Sequence, residues 1–365
     1  MHEASAATKR RACWQGILLA AGLSLFGLLV YAAGPRTVLG AISHLGWLAP
    51  LLALPYFAAY LVDSVGWWWI LSRRIGQERG EAWRAPNLLR LFGIRAAGEA
   101  VNAITPTAYF GGEPLKAWLL QGYGVPLPCG LASVMISKTA LMLTQGLFVF
   151  LGVLIGLEEW RSAIPLPLAA GVGIALVALV CAGLVGAQRR GLFSLVLSLS
   201  RRLTGRQRLL ASWEADLKDV DRLLHDFYEN RLQDFSICCG FHLLGWVVGS
   251  LEVYVVLRML GQPVDFTTAF AIEALSGVAK LAALFIPGSL GVQEGGQVLI
   301  FVAFGLTAPL AMTFGILRRC RELLWVGFGL AVIARRQALE LVRGRGGMPG
   351  AGNADKEKGP EAPTA

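Results

Sequence analysis

The sequence predicts an all-α polytopic membrane protein of about six full spans plus two re-entrant hairpins, arranged as an inverted internal repeat. Three observations predict it. Apolar runs follow one another along the chain, several of them close to the roughly 20 residues that cross a hydrocarbon layer as helix. Two further stretches are broken, at Pro106 and at Pro287-Gly288-Ser289-Leu290-Gly291, and continue as runs too short to span. Sliding the sequence along itself without gaps lays one break on the other.

Each break has a physical cost that implies a use. Proline removes a backbone donor and glycine frees φ, so a helix does not run through either motif. Non-helical backbone at membrane depth persists only where protein or a water-filled cavity satisfies it. A carboxylate there costs a few kcal/mol and usually marks a function. The shift pairs Pro106 with Pro287, Glu113 with Glu294, Gly124 with Gly305, Pro128 with Pro309, Lys138 with Arg319 and Leu143 with Leu324. It also sets Glu99 against Lys280, a charge of opposite sign. Paired Pro/Gly-interrupted segments in two halves are the sequence pointer to a transporter's binding site.

Composition agrees. Of 365 residues 55% are hydrophobic and 16% charged, with mean hydropathy +0.57, too apolar for a soluble chain with these runs. The net charge of +9 sits beside spans, as anchors for orientation and anionic lipid do, so no nucleic-acid partner is expected. Cys13, Cys129, Cys181, Cys238, Cys239 and Cys320 lack metal spacing and read as small buried hydrophobes. No metal and no cofactor are expected.

In chain order, residues 1–12 form a cytoplasmic N-terminus carrying Lys9-Arg10-Arg11, ahead of a retained first helix at 16–33. The first membrane half is 13–187. Residues 47–71 return inward, with Trp67, Trp68 and Trp69 as an interfacial belt; Asp63 within this span reads as a buried structural hydrogen bond. The hairpin at 88–123 holds Arg95, Glu99 and Asn102, breaks at Pro106, crosses Gly111-Gly112-Glu113 and resumes over 115–123, opening from the cytoplasm. Residues 131–157 span outward with Lys138 inside, and 167–187 return.

Residues 188–235 form a cytoplasmic basic loop and an amphipathic helix, with Leu210, Trp213, Leu217, Val220, Leu224 and Phe227 on one stripe and Asp219 and Asp221 off it. It lies on the membrane or under the bundle. The second membrane half is 236–336. Residues 235–260 span outward with His242 and Glu252 inside. The hairpin at 266–306 carries Glu273, Lys280, Glu294 and Gly295-Gly296 and opens from outside. Residues 309–334 then run inward with Arg318, Arg319, Arg321 and Glu322 near mid-depth. Residues 337–365 read as a disordered cytoplasmic tail.

The candidate site combines both signs of charge. Lys138, Arg318, Arg319 and Arg321 would attract a lipid phosphate, Gly111-Gly112 and Gly295-Gly296 would offer backbone N–H groups, and Glu113 and Glu294 would face a cationic head or exchange a proton. Glu99, Asn102, Glu252, Glu273 and Lys280 complete it. The competing reading is that these charges pair with one another and only hold the hairpins. No nucleotide-binding or H-E-x-x-H motif is present, and no soluble segment exceeds about 50 residues, so no ATPase or transferase domain is expected. An intramembrane enzyme stays open through Glu113, Glu294 and His242, with no recognised nucleophile or metal set beside them.

Glu99-Ala-Val-Asn102, Pro106 with Gly111-Gly112-Glu113, His242-Leu-Leu-Gly-Trp246, Glu252-Val253, Leu257-Arg258-Met-Leu-Gly261, Ile272-Glu273-Ala-Leu275 and Pro287-Gly-Ser-Leu-Gly-Val-Gln-Glu-Gly-Gly296 resemble the flippase-like family built on the transmembrane region of lysylphosphatidylglycerol synthases. Within it the chain looks most like the bacterial hopanoid-biosynthesis-associated branch. The resemblance covers roughly residues 15–340. It implies a multi-pass bacterial inner-membrane protein, both termini cytoplasmic, that moves lipids between leaflets. Full-length synthases carry an aminoacyl-transferase domain after the membrane part; here only positions 335–365 follow the last span, so synthase activity is not expected. The expected partners are the bilayer, a membrane lipid as substrate, and lipid-biosynthesis enzymes if the protein is instead a non-transporting scaffold. A scaffold should tolerate Glu113→Gln and Glu294→Gln; a translocator should not.

Overall fold

The computed structural model describes residues 53–73, 83–105, 110–156, 165–195, 198, 214–282 and 292–346. Among them no strand occurs, and helices α1 (Ala53–Ser72), α2 (Leu88–Ile104), α3 (Gly112–Gln121), α4 (Leu127–Gly156), α5 (Pro165–Arg190), α6 (Glu214–Asn230), α7 (Leu232–Met259), α8 (Phe266–Ala282), α9 (Val292–Ala303) and α10 (Ala308–Gly346) follow in order. The first expected helix at 16–33, the breaks Pro106, Pro287, Gly288 and Gly291, and the basic residues between 201 and 208 lie outside the described residues, as do Leu210 and Trp213. α4 and α7 are long and apolar enough to cross a membrane by length and composition alone.

Two apolar cores stack along these long helices. One gathers the end of α1, α2, α3, the start of α4 and α6, with Cys238 at the start of α7. The other gathers Val149 and Val153 at the end of α4, Val253 to Leu257 at the end of α7, α8, α9 and the start of α10. Hairpin α2–α3 therefore belongs to one end of the bundle and hairpin α8–α9 to the other. Lys116 pairs with Glu99 across the first, and a Cβ at Gly112 would strike the Gly98 backbone, so the two helices of that hairpin touch main chain to main chain. In the second, Ser276 donates to Gln297 at 3.4 Å and a Cβ at Gly296 would stand 2.6 Å from that of Ala279.

The shift that lays Pro106 on Pro287 also fits these elements. It carries Leu127, the first residue of α4, onto Ala308, the first of α10, and Gly124 onto Gly305. Both glycines have left-handed φ, 81° and 71°, at the turn into a long helix. Packing follows the same exchange. Hairpin helix α2 rests on α10, where Gly329 lets the Ala96 carbonyl approach, while α8 rests on α4, where Gly152 faces Ala274. α1 and α7, also related by the shift, lie against each other through Gly66 and Gly245.

Several expectations change. Trp67 is not part of an interfacial belt: it is buried and its indole donates to Ser133 at 3.3 Å, because α1 packs its whole end into the first core. Helix α6 packs on the bundle, one of the two places expected for it, with Val220, Leu224 and Phe227 buried against α4, α5 and α7. Asp221, expected on its polar side, is buried and accepts from Phe193 N at 2.9 Å and Ser194 N at 2.7 Å. α10 continues to Gly346, well into the stretch read as a disordered tail. Arg335 and Arg336 end the apolar stretch, but Ala338, Leu339, Glu340 and Leu341 still favour helix. Cys129, Cys238, Cys239 and Cys320 are free thiols, the first, second and fourth buried.

Candidate functional site

Positions 95, 99 and 102 share one face of α2, because they are spaced four and three residues apart. Opposite them, Glu113 and Lys116 stand three apart on α3. Glu113 lies in the first turn of α3, where the helix dipole favours a negative charge. Lys116 Nζ sits 2.7 Å from Glu99 and 3.0 Å from Glu113, and Lys138 Nζ, from α4, sits 3.2 Å from Glu113. Asn102 ties the hairpin together. Its oxygen accepts the Gly112 N–H at 2.7 Å and its amide donates to Glu113 at 3.3 Å. The Gly112 N–H is thus already used in this state, while Gly111 lies just ahead of α3.

Arg95 points the other way, to Asp63 of α1 at 2.9 Å, with its guanidinium over the Tyr60 ring at 4.8 Å. Asp63 also receives His242 of α7 at 2.7 Å. A cavity of about 20 Å³ lies among Arg95, Glu99, Glu113, Lys116, Ser137 and Lys138. That is room for about one water and not for a lipid headgroup.

In the second half, α10 holds three arginines and aims each at a different helix. Arg318 pairs with Glu273 of α8, Arg319 with Glu294 of α9, and Arg321 with Glu252 of α7. Glu322 links the set, 3.0 Å from Arg319, 3.7 Å from Lys280 and 3.2 Å from Gln293. Glu294, like Glu113, sits in the first turn of its short helix, and Gly295 beside it is exposed. Arg321 stacks on Tyr56 at 3.8 Å, one turn of α1 from Tyr60, so two adjacent tyrosine rings cover one guanidinium from each cluster.

Charge bookkeeping decides how these groups survive at depth. In the first cluster Arg95, Lys116 and Lys138 meet Asp63, Glu99 and Glu113; in the second Lys280, Arg318, Arg319 and Arg321 meet Glu252, Glu273, Glu294 and Glu322. Each set is balanced, which removes most of the cost of an isolated charge in hydrocarbon, about 2.5–3.5 kcal/mol on insertion scales. Any charged ligand entering either cluster would have to exchange partners with a pair that already exists.

The structure brings every described charged candidate, with Asn102 and the Gly112 N–H, into one of these two clusters, while Gly295 is exposed and Gly296 packs on Ala279. Sequence reasoning passed over Lys116, Ser137 and Gln293 and left Arg95, Asp63, His242 and Glu322 outside the site. Arg95, Asp63 and His242 were visible as ionisable residues in membrane segments, which need partners. Lys116 was hidden in the apolar run after Gly112. Among the described residues no group of His, Cys, Asp or Glu is arranged to hold a metal.

The family described as the lysylphosphatidylglycerol synthase TM region matches residues 14–330. Two proteins of Methanothermobacter thermautotrophicus, each described as a UPF0104 membrane protein, are similar to the chain. One is 24% identical, over 83% of this chain and 89% of the relative; the other is 27% identical, over 64% and 70%. No solved structure matches.

Proposed function

The chain belongs to the family of the lysylphosphatidylglycerol synthase transmembrane region, and from that premise we propose that it is a lipid translocator. It moves a polar or charged-headgroup lipid, a hopanoid-related lipid among the choices, between the leaflets of a bacterial inner membrane. It does so without chemistry on the headgroup. The observation that carries this reading is the pair Glu113–Lys138 and its counterpart under the repeat shift, Glu294–Arg319. A carboxylate at the head of a short hairpin helix meets a cation on the following long helix, once in each half.

The halves are inverted in this reading, with both termini cytoplasmic. Supporting it, Arg336 donates to the Leu119 carbonyl and lies over the Tyr123 ring, placing the end of α3 beside the far part of α10. The end of α9 instead adjoins Ala308, the opposite end of α10. The stretch of α10 from Ala308 to Arg336 amounts to about 42 Å of helix, more than a hydrocarbon layer of about 30 Å. A headgroup enters by replacing Glu113 on Lys138 or Glu294 on Arg319, and passes the tyrosine pair between the clusters.

The complete pairing and the one-water cavity favour a second reading, a non-transporting scaffold for lipid-synthesis enzymes. The lipid composition of each leaflet, measured in cells with and without the protein, separates them. Translocation requires a leaflet asymmetry that collapses in its absence; unchanged leaflets with altered total lipid leave only the scaffold.

A further inference from the structure

Ser137, His242 and Asp63 form a hydrogen-bonded chain across α4, α7 and α1 that lipid movement does not use. Ser137 Oγ is 3.1 Å from His242 Nε2, and His242 Nδ1 is 2.7 Å from Asp63 Oδ1. Arg95 meets the other carboxylate oxygen, Asp63 Oδ2, at 2.9 Å. The carboxylate accepts a hydrogen bond from Nδ1–H, which leaves Nε2 free to accept from the serine hydroxyl. Ser137 differs from its neighbours. Thr139, Thr144 and Ser276 turn their hydroxyls back to the carbonyl four residues earlier, whereas Ser137 reaches across to the imidazole. The helices come close enough for this because Gly66 and Gly245 carry no side chain: a Cβ at Gly245 would stand 2.7 Å from Asp63 Oδ1.

We propose that Ser137 is a nucleophile and that this site hydrolyses the carboxylic ester of a membrane lipid. Ser137 Oγ attacks the acyl carbon while its proton passes to His242 Nε2. The carbon–oxygen bond to the lipid's alcohol breaks, and that alcohol leaves with the proton from His242. Water, deprotonated by the same nitrogen, then attacks the acyl–serine ester, releasing a fatty acid and restoring the hydroxyl. Asp63 is a positioning residue, fixing the imidazole's tautomer. The cavity that Ser137 lines holds about one water, so the ester must displace it to reach the hydroxyl, and Arg95, Lys116 and Lys138 line it beside Glu99 and Glu113. Ser137 stands ten residues, about 15 Å, from the start of a helix about 45 Å long. Centred in a hydrocarbon layer about 30 Å thick, that places it about 7 Å below one boundary of the layer, so a lipid ester, which sits at that boundary, must dip this far to meet the hydroxyl.

The test is covalent and independent of lipid movement. Full-length protein in lipid nanodiscs is treated with an alkyl fluorophosphonate and the modified residue mapped by mass spectrometry. The expected result is labelling at Ser137, abolished in Ser137→Ala and slowed at least tenfold in His242→Gln and Asp63→Asn at unchanged thermal stability. If Asp63→Asn unfolds through the loss of Arg95's partner, the pH profile of wild-type labelling decides instead: the rate should rise through one ionisation and then level. No label on Ser137 in folded wild type, equal labelling of His242→Gln, or a pH-independent rate would overturn the proposal, and each leaves the translocation reading untouched.

Discussion

Lys138 Nζ lies 3.2 Å from Glu113 Oε1, and their counterparts in the second half, Arg319 and Glu294, are paired in the same way. Removing one partner of such a pair strands the other charge. Glu113→Gln removes the carboxylate that Lys138 touches in a largely buried site and should cost about 3–5 kcal/mol. Glu113→Gln with Lys138→Met should cost less than the sum of the single changes by about 0.5–3 kcal/mol. Thermal unfolding of purified protein in detergent measures both; simple additivity would mean the pair does not act as a unit.

The glycines of the two hairpins should behave oppositely. A Cβ at Gly112 meets the Gly98 backbone, whereas a Cβ at Gly295 meets nothing. Gly112→Ala should push the hairpin apart and lower the yield of folded protein. Gly295→Ala, on an exposed helical position, should be neutral or stabilise by about 0.5–1 kcal/mol. Equal folded yields for both variants would show that α2 and α3 need not touch.

The proposed inversion of the halves would put the two hairpin exits on opposite faces. In a cysteine-free background, a cysteine at Gln121, exposed at the end of α3, should react with an impermeant maleimide from the cytoplasm. One at Thr307, exposed before α10, should react from outside. Reaction of both from one face would remove the inversion.

Asp265 caps α8, accepting the Thr268 N–H at 2.8 Å, and hydrogen bonds from Thr268 hold its pKa below the usual carboxylate range. A lowered folded-state value means that its contribution is present at neutral pH and is lost as pH falls from about 4 through the lowered value. Asp265→Ala should therefore cost toward the lower end of roughly 0.5–2 kcal/mol at pH 7, since the cap faces water. The gap to wild type should narrow as pH falls below about 4. A pH-independent gap would assign the loss to something other than the charged cap.

How far the sequence revealed this architecture depended on rarity. Proline, glycine and charge are scarce in apolar sequence, so Pro106, Glu113 and Lys138 stood out together with Pro287, Glu294 and Arg319. The partnership of Asp63 with His242 did not, because 179 residues separate them and only the close packing at Gly66 and Gly245 brings them together. Lys116 was masked by the apolar run around it. Asp221 looked like a solvated side chain, because periodicity reports which face is apolar and not which polar group is recruited to a turn. α10 outlasted its apolar stretch because leaving the bilayer does not end a helix whose residues still favour it.

Transport of a lipid headgroup by the paired charges is tested most directly with purified protein in vesicles containing a headgroup-labelled fluorescent phospholipid, bleached by an impermeant reductant. Wild type should expose label from both leaflets. The Glu113→Gln, Glu294→Gln protein, reconstituted to the same level, should expose the outer leaflet alone, with the Glu→Asp pair in between. Bleaching of both leaflets by the double Gln protein at the wild-type rate would contradict a carrying role for these charges.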